Sequence, residues 1–117
     1  MIEKFEDLNV WKESMRLSVN VYKALKNCKD FGLRDQMQRA SVSVPSNISE
    51  GFERESNKEY IRFLFIAKAS CGELRTQIYL SIDLNILNEK EGKELLEQSR
   101  KVSAMLYKLI KTRKEKF

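Results

Sequence analysis

The side chains that could do chemistry in this chain are carboxylates, hydroxyls and two thiols, because the sequence contains no histidine. This excludes Ser-His-Asp and Cys-His nucleophiles, the zinc motif His-Glu-x-x-His and the Glu-x-x-His ligands of a helical di-iron centre. Cys28 and Cys71 lie outside any Cys-x-x-Cys motif. We therefore expect both to be reduced thiols that pack as small hydrophobic side chains, with a disulfide or a reactive thiol as the alternative. The four glycines form neither Gly-x-Gly-x-x-Gly nor a P-loop. We expect no metal and no cofactor.

Carboxylates alone could still support acid–base catalysis, and the candidates are Glu50, Glu53 and Glu73. Carboxylates carried by helices are far more often caps or partners in salt links between helices. The sequence therefore predicts a protein that is not an enzyme.

Basic residues are the second chemical feature, because the chain has a net charge of +5. Arg54, Lys58 and Arg62 repeat at four-residue spacing, where like charges repel each other slightly on a helix. Such a row suits phosphate groups, although a simple solvated face is the alternative. The candidate nucleic-acid-binding residues, taken from three basic groups, are Lys12, Arg16, Arg54, Lys58, Arg62, Lys108, Lys111, Arg113 and Lys114.

Aromatic side chains could add base stacking to these cations. The candidates are Trp11, Tyr22, Tyr60, Tyr79 and Tyr107. All of them lie on apolar stripes, so the sequence favours core packing for them.

Four segments with apolar residues at helical spacing must position these groups. The predicted helices span residues 7–28, 33–54, 57–84 and 89–113. Ser56 and Asn88 are the predicted N-caps of the last two helices, and Asn85 is a predicted left-handed helix stop. Residues 29–32 are predicted to form the first turn, in which Gly32 would tolerate a positive φ, and Pro45 is expected to kink the second helix. Short connections predict a single all-α domain over residues 1–117, folded as an up-down-up-down four-helix bundle.

The third helix carries more apolar residues than one buried face requires, which predicts self-association. On the second helix, Asn47 and Glu50 could hydrogen-bond a neighbouring copy. Alternatively, Asn47 could satisfy backbone groups near Pro45. The candidate residues of the oligomer interface are Asn47, Glu50, Ile61, Phe65 and Tyr79.

The longest apolar run, residues 63–67, is far shorter than the roughly 20 residues that cross a bilayer. The N-terminal residues lack the apolar region of a signal peptide. We therefore expect a cytoplasmic protein without a membrane partner. Binding to a membrane surface is disfavoured, because the apolar helix faces already have partners in the bundle.

Three segments carry a resemblance to a known family: Phe5–Trp11, Ser43–Phe52 with its Pro-Ser-Asn-Ile-x-Glu-Gly core, and Lys58–Leu64. They resemble the four-helix-bundle proteins encoded in intervening sequences of bacterial 23S ribosomal RNA genes. Val44 and Ser49 stand where this family often has isoleucine and alanine.

The resemblance implies an all-α bundle that assembles as a ring-like homo-oligomer, typically a pentamer. It also implies similarity to the accessory variability protein of diversity-generating retroelements, a basic barrel that binds nucleic acid and a reverse transcriptase. It brings no catalytic residues, and the role of most members is unsettled. The expected function is therefore a non-enzymatic oligomer that binds RNA or DNA through basic surfaces, as an accessory or scaffold. The alternative is a scaffold for a partner protein that binds no nucleic acid.

Overall fold

A computed structural model describes residues 2–117 and contains no strand among them. Its helices are a short 3-10 helix, Phe5–Asp7, and then α1 (Asn9–Ala24), α2 (Phe31–Phe52), α3 (Asn57–Asp83) and α4 (Glu89–Lys116). The predicted all-α fold of four helices is confirmed. No helix in this part of the chain is long and apolar enough to cross a membrane.

Side-chain caps set the boundaries of α3 and α4, as the sequence predicts. The Ser56 hydroxyl accepts a hydrogen bond from the Glu59 amide at 3.1 Å. The Asn88 side chain accepts one from the Glu91 amide at 2.7 Å. Between the two helices, Asn85 has a φ of 59°, the left-handed conformation expected of a helix stop. Local polar residues therefore explain where α3 ends and α4 begins.

The connection before α2 differs from the prediction. The Asp30 side chain accepts a hydrogen bond from the Leu33 amide at 3.1 Å and caps the helix. α2 therefore begins at Phe31, two residues earlier than predicted, and Gly32 lies inside it. No glycine in the described chain has a positive φ, so the prediction for Gly32 is wrong.

α1 is shorter than the predicted span of residues 7–28. Asp7 belongs to the separate 3-10 helix, and Leu8 leaves the helical region with a ψ of 124°. The Phe5 and Trp11 rings meet edge to face across this bend, with centroids 5.3 Å apart. At the other end, Leu25 has a ψ of 8° and turns the chain away from the helix. α4 extends three residues beyond its predicted end.

α2 continues through Pro45, which is buried within the helix. Small side chains line the surfaces on both sides of the proline. The Ser41 and Ser18 hydroxyls lie 3.1 Å apart between α2 and α1. The Ser43 and Ser70 hydroxyls lie 2.8 Å apart between α2 and α3. These hydrogen bonds satisfy polar groups that close helix packing removes from water.

The four helices surround one core in a particle of 45 × 20 × 20 Å. α1 packs on α2 and α4, and α3 packs on the same two helices. Within residues 2–117, α1 and α3 have no Cα atoms within 8 Å of each other, so they lie diagonally across the bundle. The fully buried side chains that fill the core include Leu17, Val21, Met37, Val44, Ile48, Leu64, Leu74, Ile78, Val102 and Leu106.

Gly51 permits the close approach of α2 and α3. A Cβ atom built at Gly51 would lie 2.7 Å from the Phe63 Cβ and 3.2 Å from the Tyr60 carbonyl oxygen. Both atoms are fixed by the α3 backbone. This position therefore requires glycine for reasons of space.

Candidate nucleic-acid interface

Three of the arginines predicted to bind phosphate are paired with carboxylates one turn away on the same helix. The ion pairs are Arg16–Glu13 at 2.8 Å, Arg54–Glu50 at 2.9 Å and Arg62–Glu59 at 3.0 Å. The Arg54 and Arg62 guanidinium groups also each lie 4.7 Å from the centroid of the Phe63 ring. The row at positions 54, 58 and 62 therefore has two of its three charges neutralised locally, with the exposed Lys58 between them.

Glu13 has a structural role beyond its pair with Arg16. Its carboxylate also lies 3.2 Å from the Lys101 ammonium group, which joins α1 to α4. Burial raises the pKa of Glu13, but the hydrogen bonds from Arg16 and Lys101 outweigh burial, and the net pKa is lowered. Arg16 therefore belongs to a network that stabilises the bundle.

Arg113 fastens the end of α4 to the start of α3. Its Nε donates to the Asn57 side-chain oxygen at 2.7 Å, and the Asn57 amide group donates back to the Arg113 carbonyl at 3.0 Å. Its guanidinium lies 4.9 Å from the ring centroid of Tyr60 and 3.7 Å from that of Phe117. Burial raises the pKa of the Tyr60 hydroxyl, and the Arg113 charge opposes this. These contacts use one of the five guanidinium donors and place the guanidinium against two rings, so Arg113 is partly engaged within the chain.

The remaining predicted cations are freely available on the surface. Lys12, Lys108, Lys111 and Lys114 are exposed, and none of them forms an ion pair in the described chain. The Lys114 ammonium lies 4.9 Å from the centroid of the Phe65 ring, so it lies on the side of α4 that adjoins α3. Because Lys111 comes one turn after Tyr107, these two share a face of α4.

The structure adds a basic groove that the sequence prediction missed. This groove, which we call the α3–α4 groove, has a volume of about 450 Å³ and is lined by Lys68, Arg75, Arg100, Ser103, Ala104 and Tyr107. Each helix supplies a pair of long side chains seven residues apart, two turns along the same face. Within residues 2–117, none of its three cations has a carboxylate within 4 Å. The groove therefore concentrates positive charge that no acidic side chain of the chain cancels.

Arg75 and Lys68 are half-buried and Arg100 is exposed. The Nη1 atom of Arg75 is buried and has no hydrogen-bond partner within residues 2–117. One turn earlier on α3, the Cys71 thiol donates to the Ser99 carbonyl at 3.2 Å. Burial raises the pKa of Cys71, and the charges of Arg75 and Lys68 only partly oppose this. The thiol therefore stays protonated, as expected of a structural cysteine.

The aromatic side chains differ from the prediction that all of them pack in the core. That prediction holds for Tyr60, which is buried, and Trp11 is half-buried. It is wrong for Tyr22 and Tyr107, which are exposed, whereas the exposure of Tyr79 is what its position off the buried stripe of α3, among the interface candidates, predicts. Tyr107, at 60% exposure, lines the α3–α4 groove. The Arg100 guanidinium donates to the Tyr79 hydroxyl at 2.5 Å, so a second tyrosine borders the same region.

Two exposed apolar surfaces lie on different sides of the bundle. The α3 surface consists of Phe65, Ile66, Tyr79 and Leu80, and the half-buried Ile61 adjoins it. The α1–α2 surface consists of Met15, Val19, Tyr22 and Val42. The first contains three of the predicted interface residues, and the second was not predicted because Met15 and Tyr22 fall on stripes that the sequence places in the core.

The two polar interface candidates have partners within the chain. The Asn47 amide group donates to the Ser43 carbonyl at 2.8 Å and to its hydroxyl at 2.9 Å. This is the alternative role of Asn47, the satisfaction of backbone groups beside Pro45. Glu50 pairs with Arg54, as described above. A contact of either side chain with a second copy stays a prediction.

The acidic residues considered for catalysis are dispersed. Glu73 accepts a hydrogen bond from Gln77 at 3.4 Å, Glu50 is held by Arg54, and Glu53 is exposed at the end of α2. Throughout the described residues, no three cysteine or carboxylate side chains are grouped in a way that could hold a metal ion.

The sequence matches a known protein family, and the fold matches a solved structure. The family model described as 23S rRNA-intervening sequence protein matches residues 6–108. A similar solved structure is that of a protein of unknown function from the S23 ribosomal protein family of Bacteroides thetaiotaomicron, determined at 1.70 Å resolution. It is 25% identical, with a TM-score of 0.83 over 88% of this chain and 99% of that chain. No curated protein is significantly similar to the chain.

Proposed function

The chain belongs to the 23S rRNA-intervening sequence protein family, and we propose that it is a non-enzymatic, oligomeric bundle that binds RNA or DNA through basic surfaces, as an accessory or scaffold. One observation carries the proposal: cations without carboxylate partners gather on the side of the bundle formed by α3 and α4. They are Lys68, Arg75, Arg100, Lys111 and Lys114.

Unpaired cations suit this role better than the paired arginines do. A phosphate that approaches Arg54 or Arg62 also approaches a carboxylate, which repels it. On the α3–α4 side the phosphate meets cations that have no carboxylate within 4 Å in the described residues, and it displaces counterions into solution. Contacts of this kind position a nucleic acid with little preference for its sequence.

A salt titration tests the proposal. We expect the protein to bind a fluorescently labelled structured RNA of about 30 nucleotides at 50 mM salt. Each neutralised phosphate contributes about −0.9 to the slope of log K against log salt, so about four contacts give a slope of −3 to −4. Absence of binding at 50 mM salt would overturn the proposal. In that case the exposed α1–α2 surface favours the second candidate function, a scaffold for a partner protein.

Charge reversal at matched positions locates the site. The double variant Lys111→Glu, Lys114→Glu should weaken RNA binding at least tenfold. The control, Lys26→Glu with Lys29→Glu, changes two exposed lysines after α1 and alters net charge equally. Equal losses in both variants would mean that overall charge governs binding and that the α3–α4 side is not a site.

We also propose an up-down-up-down order of the helices, which several contacts support. Met37, early in α2, contacts Ser81 near the end of α3, whereas Gly51 near the end of α2 lies against Phe63 early in α3. Asn57 at the start of α3 contacts Arg113 near the end of α4.

The two apolar surfaces support a ring-like homo-oligomer. They differ in composition and lie on helices that are diagonal in the bundle. If the α3 surface of one copy covers the α1–α2 surface of the next, the contact is head-to-tail, and such contacts form a ring when the rotation between successive copies closes and a filament when it does not. A pentamer would have five times the chain mass of 13.8 kDa in light scattering. A mass of 13.8 kDa at high concentration would contradict the assembly.

A further inference from the structure

The α3–α4 groove is an open, basic depression on the surface of the bundle, with a volume of about 450 Å³. Cations approach it from both walls, Lys68 and Arg75 from α3 and Arg100 from α4. An anion between the walls would therefore be held from two sides, whereas an anion on a flat surface meets cations from below only.

Arg75 brings a guanidinium to the lining of the groove. A guanidinium is planar and presents five donors, so it can hold two oxygens of one phosphate at the same time. Its Nη1 is buried, so a phosphate in the groove would meet the remaining donors of the guanidinium.

Tyrosines distinguish this groove from a site for a phosphate ion alone. Tyr107 lines the groove with 60% of its surface exposed, whereas Tyr79, which bonds to Arg100, belongs to the α3 surface that the proposed ring covers. An exposed aromatic ring beside cations is the arrangement that binds unpaired bases by stacking. A base inside a duplex already has neighbours on both faces, so it offers no free face to the ring.

The spacing of the lining residues sets the length of strand that fits. Lys68 and Arg75 are seven residues apart, as are Arg100 and Tyr107, which corresponds to about 10 Å along each helix. Stacked nucleotides repeat at about 3.4 Å along a strand, so about three nucleotides span the groove.

We propose that the α3–α4 groove binds a short single-stranded segment of nucleic acid, with phosphates on Lys68, Arg75 and Arg100 and an unpaired base stacked on Tyr107. The inference rests on the proposed function and adds to it a defined site and a preference for unpaired nucleotides. An acidic peptide segment would use the three cations but would gain nothing from the exposed ring.

The test measures fluorescence anisotropy of a labelled 12-nucleotide oligouridylate with the full chain at 100 mM salt, in competition with a 12-base-pair RNA duplex and with an oligoglutamate peptide. The single strand should compete at least five times better than either.

Tyr107→Leu should weaken binding about tenfold, because stacking on one base accounts for a loss of this size. Tyr107→Phe keeps the ring and should bind as the wild type does. Arg75→Gln should weaken binding about tenfold.

Two control variants remove a cation or an aromatic ring outside the groove. Lys90→Gln removes a cation from α4 ten residues before Arg100, and Phe31→Leu removes an exposed aromatic ring at the start of α2. Both should bind within twofold of the wild type, and circular dichroism should show that every variant is helical. If the groove variants bind like the controls, the groove inference is overturned while the proposed function stands. Equal competition by duplex or peptide also overturns it. A wild-type protein that binds no polyanion at 50 mM salt overturns both.

Discussion

At the residue scale, the arginines of this chain differ in whether a carboxylate on the same helix pairs with them. Arg16, Arg54 and Arg62 each have a glutamate three or four residues away on the same helix. This spacing is visible in the sequence, and it predicts local ion pairs as directly as it predicts a row of cations. Arg100 also has a glutamate three residues before it, Glu97, yet no carboxylate lies within 4 Å of Arg75 or Arg100 in the described residues. Spacing along one helix therefore offers candidate ion pairs without deciding which of them form, and it cannot identify the groove, which depends on how α3 meets α4.

Glu13 provides a prediction about pH. Its pKa is lowered in the folded chain, so its ionised form stabilises the fold above the ordinary glutamate pKa of about 4.3, and this contribution is lost as the pH falls through the folded pKa. Glu13→Gln should lower the free energy of unfolding by about 1 kcal/mol at pH 7. The difference from wild type should shrink toward zero at pH 3. Urea unfolding at the two pH values measures both quantities.

The control for this prediction is Glu97→Gln, which removes an exposed carboxylate from α4. Its stability should match that of the wild type at both pH values. If Glu13→Gln destabilises the protein equally at pH 7 and pH 3, the effect comes from packing and the ion pairs contribute nothing.

At the scale of the elements, capping chemistry explains which boundaries the sequence predicts well. Ser56 and Asn88 cap helices by hydrogen bonds to amides three residues later, and Asn85 stops a helix by adopting a positive φ. These effects involve only neighbouring residues, so a local sequence pattern is sufficient to predict them. The start of α2 was misplaced because Asp30 and Gly32 both resemble turn residues, and only the bond from Asp30 to the Leu33 amide decides between cap and turn. α1 ends at Ala24 although Leu25 is buried and fits the apolar stripe, so the apolar pattern alone overestimates its length.

Two glycines give opposite predictions at this scale. Gly51→Ala should destabilise the bundle by about 1–3 kcal/mol, because the new methyl group would overlap Phe63 Cβ and force α2 away from α3. Gly72→Ala has no atom within 4 Å of its new methyl group and should stabilise α3 by about 0.5–1 kcal/mol. Thermal unfolding of the two variants measures both changes. Destabilisation by both would mean that the helix surface at Gly72 is covered in the native protein.

At the scale of the whole molecule, the distribution of apolar side chains determines what can assemble. The sequence predicts the excess on α3 correctly, because Phe65 and Tyr79 fall off its buried stripe and are 45% and 47% exposed. It does not predict the α1–α2 surface, since Met15 and Tyr22 have the spacing of core residues. Their exposure depends on where the neighbouring helices lie around α1, which no pattern within α1 records.

A mixing experiment tests head-to-tail assembly. Val19→Glu blocks the α1–α2 surface and Phe65→Glu blocks the α3 surface, so each variant alone should be a monomer in light scattering. Mixed in equal amounts, they retain one intact surface each and should form a dimer. A dimer of either variant alone, or no association on mixing, would contradict a contact between unlike surfaces.

Trp11 is the only tryptophan of the chain, and it lies in a groove with Phe5, Met15 and Val42 beside the α1–α2 surface. Its indole is half-buried in the isolated chain. Any protein that covers this surface also changes the polarity around the indole. The fluorescence of Trp11 therefore reports on this surface without an added dye. If copies of the chain meet here, the emission maximum should shift to shorter wavelength as the protein concentration rises.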